Sequence, residues 1–158
     1  MTRSVLAGVV VALLGIAGLL RATVTSGASG AASSITVLDA WVRQPVPPGT
    51  QAAAYFTVRN DGPAADRLLA VASPIGAATV LHAVRNGTMQ EVADGVVVPA
   101  HGSLRFAVGA GHVMIEGVSR PLTAGEVVPL ALTFERFGTV TVDARVVGYL
   151  DPAPSATG

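Results

Sequence analysis

Cysteine is absent from all 158 residues. That excludes disulfides, thiolate metal sites, thiol nucleophiles and a lipid-modified cysteine within this sequence. Blue-copper electron transfer is excluded with them, because it relies on a cysteine thiolate. Lysine is absent too, so every permanently cationic side chain is an arginine. Only 13% of residues are charged, and ten basic residues balance ten acidic ones. No basic excess speaks for nucleic acid, and the arginines form no run that would suit a membrane surface. Aromatic residues make up 4% of the chain, with one tryptophan. A hydrolase reading finds no GxSxG elbow, and no enzyme class is supported.

What is present is apolar and divided into short segments. The opening "MTRSVLAGVVVALLGIAGLLRATVTSGASGAASS" has the form of an export signal. Arg3 gives a basic start, an uncharged run reaches Leu20, Arg21 ends it and small residues follow. The run is a little short for a full membrane span. Residues 1–32 are therefore expected to be a signal peptide or an N-terminal membrane anchor. Either places the remainder outside the cytoplasm, on the periplasmic or cell-wall side, secreted or anchored to the cytoplasmic membrane. Residues 33–150 are expected to fold as one domain. The proline-punctuated "DPAPSATG", 151–158, is expected to be a disordered tail.

Within the domain, β-rich runs alternate with turn signals. "SITVLDAWVR", "AAAYFTVRN", "DRLLAVASP", "ATVLHAV", "SLRFAVGAG", "HVMIEGV", "VVPLALTFER" and "TVTVDARVVGY" are strand candidates, with shorter runs between them. About nine or ten strands result, with no helical period beyond at most one turn at "PLTAG". No crossover helix separates them, so an antiparallel β-sandwich is expected. "RNGT" is a hairpin turn, since Asn and Gly tolerate the positive φ values of a type I′ turn. With Asn86 and Gly87 as its loop, Arg85 faces Thr88, Val84 faces Met89 and His82 faces Glu91. The glycosylation sequon overlapping this turn is explained by the turn itself.

The chain has three histidines and three methionines, one of them the initiator. "GAGHVMIEGV" sets His112 and Met114 two apart, so on a strand they share one face. The hairpin sends His82, Val84 and Met89 to one side, with His82 and Met89 as diagonal neighbours. Two His/Met pairs suit a soft closed-shell ion such as Cu(I); zinc would ask for thiolates, carboxylates or more histidines. The bland alternative is that the methionines fill the core and the histidines are solvated surface groups. His101, in "PAHGS", is read as a surface turn residue. Trp41 is read as a core aromatic anchoring the first strand, the alternative being a ring that shields a soft site from oxidising water.

These stretches together resemble the periplasmic copper chaperone family, the PCuAC-type copper-binding proteins. The resemblance runs from about Val37 to Val146. It rests on "DAWVRQPVPPGTQAAAYFTVRNDGPAADRLLAVASP", "VLHAV", "VVVPAHGSLRF" and "GHVMIEGVSRPLTAGEVVPLALTFERFGTVTV". It implies an all-β, cupredoxin-like antiparallel β-sandwich with Greek-key character. It also implies Cu(I) bound by two nitrogens and two sulfurs, at His82, Met89, His112 and Met114. The implied role is an extracytoplasmic copper chaperone. Its partner would be a copper-accepting protein, such as the CuA centre on subunit II of cytochrome c oxidase, or another copper chaperone. A monomer is expected. Passive copper storage and a metal-free secreted sandwich are the competing roles. The sequence departs from the family in the gap between His82 and Met89, which is shorter than usual, and in a tail without methionine or histidine.

Overall fold

The computed structural model of the chain describes residues 32–155. The N-terminal apolar segment lies outside the described residues. Among the described residues no helix is long and apolar enough to cross a membrane.

Ten strands follow one another. They are β1 (Ile35–Arg43), β2 (Ala52–Asn60), β3 (Asp66–Ala72), β4 (Ala78–Arg85) and β5 (Thr88–Glu91). Then come β6 (Val96–Val98), β7 (Gly102–Phe106), β8 (His112–Glu116), β9 (Val127–Phe134) and β10 (Gly138–Val147). The "PLTAG" segment forms a turn and no helix. Hydrogen bonding runs along β5-β4-β8-β2-β1-β10-β9-β3-β6, with β7 also on β2. One edge of β2 serves two partners: Ala52–Ala54 pair with β8, and Phe56–Asn60 pair with β7. Every strand ladder is antiparallel except β1 with β10, which run parallel. The sheet is therefore mixed. An antiparallel hairpin needs only a short turn, whereas the first and last strands have the whole domain as their connection.

Alternation builds the core. Along β2, Ala52, Ala54, Phe56 and Val58 are buried and the residues between them are less so. Val113 and Ile115 of β8 and Val128, Leu130, Leu132 and Phe134 of β9 complete the inner face. Each large apolar side chain so buried contributes about 1.5–3 kcal/mol relative to exposure. Two buried polar residues fasten the chain around Ser33 and Ser34 at one end of the sandwich. Asn60 accepts from the N–H groups of Ser34 and Gly62 and donates to the carbonyl of Ala64. Asp66 accepts from the Ser33 hydroxyl and from the N–H groups of Arg67, Arg136 and Phe137, tying down the β9–β10 turn.

Strand β1 carries a bulge that decides what lies on the outer face. Its pairing with β2 shifts register between Leu38 and Trp41, and Asp39 within the bulge has φ of 51°. In an unbroken strand Trp41 would share the core face with Ile35 and Val37. The extra residue reverses the alternation. Val42 turns inward and is fully buried, and Trp41 turns outward. Trp41 is only 8% exposed but does not belong to the core cluster. The expectation of a core aromatic is thus corrected: the ring is covered on the outer face.

Candidate metal centre

The β4–β5 hairpin has the register expected from "RNGT": His82 opposite Glu91, Ala83 opposite Gln90, Val84 opposite Met89 and Arg85 opposite Thr88. Asn86 and Gly87 form its loop with φ of 53° and 77°. Strand β8 then adds to the other edge of β4, with His112 directly opposite His82 and Met114 opposite Val80. On the inner face Leu81 and Val113 are buried partners. That packing fixes the two histidines on the outer face, because neighbours along a strand alternate sides.

The result is that two imidazoles thirty residues apart in sequence meet. Nδ1 of His82 lies 3.2 Å from Nε2 of His112, with ring centroids 4.9 Å apart. Met114 sits two residues along the same strand as His112, is half-buried, and is absent from the core cluster. Met89 belongs to the next row, diagonal to His82, and is 40% exposed. Neither methionine fills the space between the sheets. By register, His82 has a methionine diagonally on either side, Met114 across β8 and Met89 across β5.

Burial, together with the neighbouring charge of His82, holds the His112 imidazole below the ordinary histidine value. Desolvation opposes the cationic form, so the neutral, ligating form is favoured. A hydrogen bond at this distance needs a proton on one of the two facing nitrogens, and a tautomer change in that ring frees both lone pairs without a change in net charge. Among the described residues no three His, Cys, Asp or Glu side chains converge on a point. What meets is a pair of imidazoles, with Met114 two residues along β8 from one and Met89 diagonal to the other by register. Such donors suit a soft monovalent ion and offer little to zinc or to hard cations.

The row continues across the sheet. Trp41 pairs with Tyr55 and with Arg145. The Trp41 and Tyr55 rings stack at 4.3 Å and 24°, and Tyr55 lies 6.3 Å from the His112 ring. The Arg43 guanidinium covers Trp41 at 4.8 Å. It also donates to the carbonyl of Gly148, fastening the chain after β10. Burial pushes the Tyr55 phenol up, partly opposed by Arg43. Tyr55 was not singled out in the sequence; only its place opposite Trp41 marks it. Gly111 was also missed. A Cβ there would stand 2.8 Å from the carbonyl oxygen of His82 and 2.9 Å from the Phe106 ring. His101 occupies an exposed turn with φ of 49°, as its sequence setting suggested.

The profile of a family described as putative lipoprotein LpqE-like matches residues 35–146. The chain belongs to the LpqE-like family. A putative lipoprotein, Lxx21020 of Leifsonia xyli subsp. xyli, is 30% identical over 122 residues, covering 75% of this chain and 72% of its own. Among solved structures, the copper-bound PCuAC domain from PmoF2 superposes with a TM-score of 0.64 at 28% identity. The match covers 72% of this chain and 92% of that domain. Cu(I)-bound DR1885 from Deinococcus radiodurans gives 0.65 at 29% identity, covering 80% of this chain and 85% of its own. The apo PCuAC domain from PmoF1 gives 0.66 at 26%, covering 72% and 93%.

This LpqE-like chain therefore has the all-β, mixed-sheet, cupredoxin-like fold of PCuAC-type domains. Its place is extracytoplasmic and membrane-associated.

Proposed function

We propose that residues 33–150 bind one Cu(I) through His82, Met89, His112 and Met114 and deliver it to an apo-acceptor outside the cytoplasm. The acceptor class that best fits is a CuA-type centre such as that of cytochrome c oxidase. One observation carries this reading: the 3.2 Å approach of the His82 and His112 ring nitrogens on the face that also bears both methionines. Two imidazole nitrogens each about 2 Å from a tetrahedral ion stand about 3.3 Å apart. The pair is therefore spaced for an ion before one arrives, and little reorganisation opposes binding.

Delivery follows from the same donors. A thioether is a neutral, weak ligand that can leave without a proton. Met89 is exposed on the short projecting hairpin, so an acceptor can replace it first and take the ion by stepwise exchange. The shortened gap between His82 and Met89 is compatible with this, since a two-residue turn keeps both on one side of the hairpin.

The test is a Cu(I) titration of the full chain against a competing chelator. One tight equivalent per chain is expected. His112→Ala should weaken it by more than the roughly 10–100-fold that loss of a supporting outer-shell partner costs. An unchanged affinity in that variant would overturn the reading. Met89→Ala is expected to weaken binding less and to slow transfer to a copper-free CuA domain. If it alters neither, Met89 lies outside the ligand set. Retention of copper with no passage to the CuA domain would indicate storage instead.

A further inference from the structure

A second concavity opens on the same face, beyond Trp41. It has a volume of about 400 Å³ and lies between the β7–β8 connection, the bulge of β1 and the chain after β10. That is within the roughly 300–1,000 Å³ range of small-molecule sites. Trp41, Phe106, Val108 and Pro154 supply apolar wall, while Arg105 and Arg145 bring guanidinium groups to the same cavity. Among the described residues neither guanidinium has a hydrogen-bond or ion-pair partner. Asp39 is the one acid in the lining. Two guanidiniums against one carboxylate leave a single positive charge.

Apolar wall with a few convergent polar groups is the usual composition of a ligand pocket. Guanidinium groups recognise carboxylates through paired, charge-assisted hydrogen bonds. We propose that this cavity binds a small organic monoanion, a carboxylate on an apolar body, between Arg105, Arg145 and the part of Trp41 that lines it. The carboxylate would lie toward the arginines and the apolar body against Trp41, Phe106 and Val108. The cavity is distinct from the histidine pair, from which Tyr55 separates it along the row. A flat protein contact would not need its depth, which favours a small ligand over an acidic protein surface.

Trp41 is the only tryptophan in the chain, so its emission reports on the cavity directly. The experiment titrates the copper-free full chain with octanoate, with its neutral analogue octanamide, and with sulfate. The expected result is a saturable change in Trp41 emission with octanoate and a response at least tenfold weaker with the other two. Equal binding of octanamide would remove the arginines from the account, and equal binding of sulfate would reduce the site to a bare basic patch. Absence of a saturable response to octanoate overturns the proposal outright. The double substitution Arg105→Gln with Arg145→Gln should weaken octanoate at least tenfold, while Tm and Cu(I) affinity stay unchanged because both side chains are exposed and neither is among the proposed copper ligands. Unchanged octanoate binding in that variant overturns it as well.

Discussion

Gly111 lies against the backbone of His82 so closely that a Cβ would come within 2.8 Å of the His82 carbonyl oxygen. Strand β8 can reach β4, and His112 can stand opposite His82, only because that atom is missing. The obstacle on one side is backbone and on the other the buried Phe106 ring, and neither is the free end of a flexible chain. Gly111→Ala is therefore expected to cost about 1–3 kcal/mol of stability, as overpacking does. It should also separate the imidazoles and weaken Cu(I) at least tenfold. Denaturant unfolding and chelator competition on the same variant check the two halves. Full Cu(I) affinity would mean that the approach of β8 to β4 does not set the site.

Asp66 gives the fold an acid-sensitive fastening. Burial would raise its pKa, but the hydrogen bonds from Ser33, Arg67, Arg136 and Phe137 outweigh that and lower it. With the folded pKa below the unfolded one, this stabilisation is present above the unfolded carboxylate value near about 3.9 and is lost as pH falls through the folded value. Asp66→Asn keeps the shape but turns an amide toward groups that donate. It should lower stability at neutral pH by roughly 1–3 kcal/mol. The difference from the unmodified chain should shrink as pH drops below about 4. Thermal unfolding across pH 2–7 measures it, and a difference independent of pH would refute the assignment.

Much of the candidate site was legible because it depends on local rules. "RNGT" dictates its own turn, and the turn dictates that His82 and Met89 share a side. "HVM" on a strand places His112 with Met114. Other parts were not legible from local pattern. The meeting of His82 with His112 depends on which distant strand docks against β4, and nothing near either residue encodes that. The outward turn of Trp41 depends on a bulge whose positive-φ position is held by Asp39 instead of a glycine, so the segment reads as unbroken alternation. Tyr55 went unnoticed for the same reason: its significance comes from lying across from Trp41. The parallel β1–β10 pair likewise joins segments with no local tie.

The bulge itself is open to test at Asp39. A φ of 51° is tolerated by Asp, Asn and Gly, while a β-branched residue is strained there. Asp39→Val is expected to destabilise by roughly 1–2 kcal/mol, and Asp39→Gly by much less. If the valine variant relieves strain by removing the bulge, Trp41 is driven toward the core face and its emission shifts. Equal stability of the two variants would show that the left-handed conformation is not required.

Tyr55 bridges the histidine pair and the Trp41 ring. It stacks on Trp41 at 4.3 Å, lies 6.3 Å from His112, and so covers the side of the imidazole that faces β1. It carries no donor that the ion requires, and its removal should leave one Cu(I) equivalent per chain. What it excludes is water and dissolved oxygen. Tyr55→Ala opens that flank, and the bound ion should then oxidise faster in air. The Cu(II) electron paramagnetic resonance signal is expected to grow several-fold more quickly than in the unmodified chain, with Tyr55→Phe close to the original rate. Phenylalanine retains the ring and loses only the hydroxyl, so equal acceleration in both variants would trace the protection to the phenol and not to the covering ring. No acceleration in either would mean that the aromatic row serves the fold alone.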